Sequence, residues 1–78
     1  MTSRKIDITT EYIKLDQLLK FAGITGDGAQ AKSLILAGRV LVGGEVSLQR
    51  GKKVRAGDVV SIPSLDTELC VCNADNLA

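Results

Sequence analysis

The sequence has no histidine, two cysteines and two aromatic residues, Tyr12 and Phe21, in 78 residues. Each scarcity excludes a class of chemistry. Without histidine the usual general base near neutral pH is missing. Cys70 and Cys72 are too close together to close a useful loop, and with no second cysteine pair and no histidine a zinc site cannot be assembled. No metal or other cofactor is expected. Apolar runs stay far below the roughly 18 residues of a membrane span. The first ten residues mix Arg4, Lys5 and Asp7 and lack the apolar core of a signal peptide. A reduced, cytoplasmic protein is expected, with no membrane partner. Tyr12 and Phe21 offer few platforms for stacking a single strand of nucleic acid. Phe21 lies near the apolar arc of the first helix and reads as a core residue, while Tyr12 is ambiguous.

What is present is an aliphatic chain with glycines between its apolar runs. A domain this short buries only about 60–65% of its unfolded surface, so its margin of stability is small. Net charge is +1 and conceals an asymmetry. From Lys14 to Asp58 eight bases face four acids, a surplus of four positive charges. From Val59 onward only Asp66, Glu68 and Asp75 are charged, and the first thirteen residues cancel. A basic middle is compatible with a polyanionic partner and equally with ordinary solvating charge.

Ile6 and Ile8 alternate with polar residues, which predicts a short strand. The period then changes. Leu15, Leu18, Leu19 and Ala22 repeat at helical spacing, with Asp16 in the first turn and Gly23 past the end. Asp27 followed by Gln30 is an acidic capping box, and Ala31, Leu34 and Ile35 continue a second helix that Gly38 stops. Leu36 falls off that stripe. Val40-Leu41-Val42, Gly43-Gly44 and Glu45-Val46-Ser47 predict a hairpin with a two-residue turn. Ala56-Gly57-Asp58 reads as a turn, and Val59 to Ile62 as a strand ended by Pro63. Leu69 to Cys72 suggests a last edge strand, and Asn73 to Ala78 a loose tail. The fold class expected is α+β, with two consecutive helices packed on a small, mainly antiparallel sheet. Three parts follow: an N-terminal arm over 1–13, a core over 14–62, and an edge strand with tail over 63–78.

Lys14-Leu15-Asp16, Ala31-Lys32 with Leu34-Ile35, Gly38, Val40, Val42, Gly44 and Gly57-Asp58-Val59 form an ordered series. The series resembles the RNA-binding domain named after small-subunit ribosomal protein four, the αL motif, over about Tyr12 to Ile62. The likeness is greatest to short bacterial proteins that consist of this domain alone and carry a basic stretch like Arg50-Gly51-Lys52-Lys53. The resemblance implies a non-catalytic domain that holds structured RNA, with ribosomal RNA and transfer RNA as the candidates it raises. Lys14 stands where the family usually has arginine, and Asp27-Gly28 where it often has Ser-Arg. Lysine keeps the charge but loses the planar fork. Gly43-Gly44 replaces the usual Asn-Gly, which the turn tolerates.

Arg50, Lys52, Lys53 and Arg55 are the main candidates for phosphate contact. Lys14 joins them through its family position, and Lys32 and Arg39 flank the second helix. Arg39 equally suits a helix C-terminus. A solvated loop is the bland account of the cluster, and an adaptor whose basic surface meets an acidic protein is the alternative function. The cysteines have no evident metal or redox role. No P-loop and no acid–base pair stands out, so neither an enzyme nor a small-molecule substrate is expected.

Overall fold

The structure, a computed structural model, describes residues 2–73. Strand β1 (Thr2–Ile8) leads to a two-residue strand β2 (Ile13–Lys14), which runs directly into helix α1 (Leu15–Phe21). Helix α2 (Gly28–Leu36) follows, then the hairpin β3 (Leu41–Val42) and β4 (Glu45–Val46). The remaining strands are β5 (Lys53–Val54), β6 (Val59–Ile62) and β7 (Thr67–Asn73), with a 3-10 turn at Pro63–Leu65 between the last two. The main sheet has the order β1-β7-β6-β3-β4, and β2 pairs with β5 in a separate ladder. All pairings are antiparallel except β1 with β7. The α+β class and both helices are as the sequence predicts.

Local chemistry sets the helix boundaries. The Asp27 carboxylate accepts from the Gln30 N–H at 2.8 Å, and the Gln30 side-chain oxygen accepts from the Gly26 N–H at 2.8 Å. This is a reciprocal cap, reaching one residue beyond the N-cap. Both helices end in Schellman turns. Gly23 and Gly38 take φ of +75° and +74°, and their N–H groups donate to Lys20 and Ile35. The next N–H groups, from Ile24 and Arg39, reach back to Leu19 and Leu34. Arg39 therefore does close α2, through its backbone. In the hairpin Gly43 and Gly44 both have positive φ, as a two-residue turn of the primed type demands.

The buried core is wholly aliphatic among the described residues. Leu15, Leu18, Leu19 and Ala22 from α1 and Ala31 and Ile35 from α2 meet Ile6, Ile8, Val60, Ile62, Leu69 and Val71 from the sheet. Val54 of β5 is also completely buried, which ties the small ladder to this core. Truncating Leu18 to alanine at such a site costs about 2–5 kcal/mol. Among the described residues no helix is long and apolar enough to cross a membrane.

Two expectations are corrected. The last strand is not an edge: β7 lies between β1 and β6, and β1 forms the edge. The cause is the parallel pairing of all seven residues of β1 with β7, which the few apolar positions of β1 do not advertise. Leu69 and Val71 face the core, while the free thiols Cys70 and Cys72 are half-buried on the opposite face. Phe21 is not core. It is 64% exposed, because at 100° per residue it sits about 110° from the centre of the Leu15–Ala22 stripe. Leu36, off its own stripe, is likewise exposed. Of the tail expected from Asn73 to Ala78, Asn73 is instead the last residue of β7, paired with Ile8, and the rest lies outside the described residues.

Candidate nucleic-acid interface

Helix α1 has no side-chain N-cap. Its first free N–H groups, which must find acceptors, are taken by a remote turn. Leu15 N–H donates to the Lys52 carbonyl at 2.9 Å, and Asp16 N–H to the Arg50 carbonyl at 3.0 Å. The Asp16 carboxylate accepts from Gln17 N–H. The Arg50–Lys52 segment is itself closed as a turn by Lys52 N–H donating to Gln49. The basic segment is thus fixed against the start of α1 by backbone groups alone, leaving its side chains exposed.

The β2–β5 ladder continues the attachment. Ile13 lies opposite Val54, and Lys14 opposite Lys53. Directly opposed residues of an antiparallel pair project to one face. Val54 is buried, so the alternate positions Lys14 and Lys53 project outward together, two like charges side by side. Such a pair is unfavourable on its own and becomes favourable when an anion lies across it. The Lys53 ammonium sits 4.9 Å from the centroid of the half-buried Tyr12 ring. Arg55 reaches the same segment, with its guanidinium 3.6 Å from the Glu11 carboxylate. Its backbone N–H donates to the Asp58 carboxylate, which closes the Ala56–Asp58 turn. Lys52 also lines a concavity with Val42, Glu45, Val46 and Leu48 of the hairpin region.

Of the seven sequence-predicted residues, Lys14, Arg50, Lys52 and Lys53 are therefore joined by backbone bonds and register at the start of α1. Arg55 adjoins them but is partly neutralised by Glu11. Lys32 is exposed on α2, and Arg39 lines a groove beside α2 with Leu34, Ala37 and Leu65. No hydrogen bond, ion pair or register pairing among the described residues links these two to the others. Glu11 and Tyr12 are members of the cluster that sequence reasoning did not select. Their proximity to Lys14 in the chain was the available signal.

A relative from Bacillus subtilis (strain 168), named probable ribosome maturation protein RlbA, is 44% identical over 57 residues, 73% of this chain and 80% of that protein. The S4 domain family matches residues 6–70, which extends beyond the Tyr12–Ile62 resemblance into β1 and β7. The strands that frame the core are part of the matched unit. The chain belongs to the S4 domain family.

Proposed function

We propose that this chain is a non-catalytic RNA-binding domain that holds structured RNA across the surface formed by Lys14, Arg50, Lys52 and Lys53. The observation that carries the reading is the Lys14–Lys53 register pair, beside a basic turn held by its own backbone at the head of α1. That arrangement presents cations at fixed positions, with a weak contact of Lys53 to the Tyr12 ring and no ion pair to any of the four among the described residues, which suits a phosphate backbone. Membership of the S4 domain family and the likeness to a probable ribosome maturation protein support an RNA role. Ribosomal RNA is the favoured class, with transfer RNA the next. Lys32 and Arg39 form a secondary margin on α2, and Arg55 contributes less because Glu11 accompanies it.

The test is a salt titration with a labelled RNA hairpin and an unstructured homopolymer, followed by fluorescence anisotropy. With about four phosphates neutralised, log K falls against log salt with a slope of roughly −3 to −4. The hairpin binds more tightly than the homopolymer. A flat salt dependence, or preference for the homopolymer, rejects the reading and favours an acidic protein as the partner.

A further inference from the structure

The two aromatic side chains border the connection between β1 and β2, in different electrostatic settings. Tyr12 lines a concavity with Thr10, Glu11, Lys14 and Gln17. Phe21 lines the neighbouring one with Asp7, Ile8 and Thr9, where no base is present. Tyr12 alone has cations beside it: Lys53 over its ring, and Lys14 opposite Lys53 in the ladder. The Thr10 hydroxyl donates to the Tyr12 carbonyl at 2.7 Å, which steadies the segment carrying the ring.

A flat π surface beside two ammonium groups matches a ligand that carries both a flat face and negative charge. An apolar ligand leaves the ammonium groups unused, and an inorganic anion leaves the ring unused. A nucleotide within an RNA chain uses both, since its base stacks and the flanking phosphates are anionic. Gln17, on the rim, has an amide that both donates and accepts, as the edge of a base requires. The contact of the exposed Lys53 with the half-buried Tyr12 ring is of a weak kind and exchanges readily for a phosphate. Bases inside an A-form duplex do not expose their faces, so the base in question must be unpaired.

We infer that Tyr12 is the stacking platform for one unpaired nucleobase, with Lys14 and Lys53 on its flanking phosphates. The inference rests on the RNA-binding reading and narrows its ligand to a duplex interrupted by an unpaired nucleotide.

Tyr12 is the sole tyrosine and the chain has no tryptophan, so tyrosine emission reports this ring alone. The full chain is titrated with two blunt RNA duplexes of one sequence, one carrying a single unpaired adenine. The interrupted duplex quenches the emission and binds about tenfold more tightly, the scale of one base–aromatic stack. Tyr12→Ala abolishes that preference, so that the two duplexes bind alike, while Tyr12→Phe and Phe21→Ala retain it. Equal affinities with unchanged emission overturn the inference and leave the RNA reading standing. Loss of the preference in Phe21→Ala overturns it as well, since the platform is then not specific to Tyr12. Failure of both duplexes to bind at low salt overturns the RNA reading and the inference together.

Discussion

Helix α2 begins on a cap made by residues within one turn, whereas α1 begins against the distant Arg50–Lys52 turn. At α2 the Asp27 carboxylate and the Gln30 amide oxygen supply the acceptors, so the cap is a property of side chains. At α1 the acceptors are the carbonyls of Arg50 and Lys52, which any residue would supply. The consequence is a division of labour within the basic turn. Its backbone supports the fold, and its side chains remain available for a ligand. A surface loop with charged side chains is usually mobile. Here the need of a helix for acceptors holds the loop, and through it the charges, in place.

The sharpest way to break that comparison is to reverse the charges while keeping the backbone. Lys52→Glu with Lys53→Glu removes two attractions for phosphate and adds two repulsions. RNA affinity falls more than about tenfold at low salt, and the magnitude of the salt slope drops by about 2. Thermal stability stays within about 0.5 kcal/mol of the parent, because both positions are exposed and the caps are carbonyls. Lys20→Glu, on the exposed side of α1, is the control and weakens binding less. A large fall in melting temperature for the double variant contradicts the division between backbone and side chain. Unchanged affinity moves the binding surface elsewhere.

At α2 the effects are reversed. Asp27→Ala removes the acceptor of the Gln30 N–H and costs about 1 kcal/mol, or about 4–8 °C in melting temperature for a domain of this size. Asp27→Ser keeps a cap and recovers most of that loss. In RNA binding Asp27→Ser leaves affinity unchanged or raises it slightly, because it removes an acid from the basic middle of the chain. Calorimetry on both variants separates capping from charge. Equal destabilisation by serine and alanine would mean that the carboxylate acts through its charge rather than as a hydrogen-bond acceptor.

The contrast also explains what was legible in the sequence. Asp27, Gln30, Gly38 and the Gly43-Gly44 turn act over a few residues, so their pattern in the chain is their pattern in space. The head of α1 lacks a capping residue, and nothing near Lys14 reveals that Arg50 and Lys52 provide one. The same holds for β7. Leu69 and Val71 mark it as a strand, but its place between β1 and β6 follows from pairing across nearly the whole chain. Candidate cations were legible as composition; their division was not. Lys14 meets Lys53 only through the β2–β5 register, and Lys32 and Arg39 are left aside. Phe21 was misplaced because a large aromatic next to an apolar stripe was weighted above its angle on the helix.

The smallest effect concerns Gly51, the residue between the two capping carbonyls. Glycine at such a position serves either a backbone conformation closed to other residues or a close approach by a neighbour. Conformation does not require it, since Gly51 is not among the glycines with positive φ. Internal crowding does not require it either, for a Cβ there meets nothing within 4 Å. Gly51→Ala therefore keeps both α1 caps and changes stability by less than about 0.5 kcal/mol, in the direction of a gain if the unfolded chain loses freedom. Whatever role the missing side chain has must then involve a group outside the protein. If a phosphate packs on the Arg50–Lys52 backbone, the added methyl weakens RNA binding a fewfold with the salt slope unaltered, because no charge has changed. That outcome would put the turn's backbone, besides its lysines, in contact with RNA. Full affinity in Gly51→Ala would mean that the lysines reach out from a turn whose backbone the RNA does not touch.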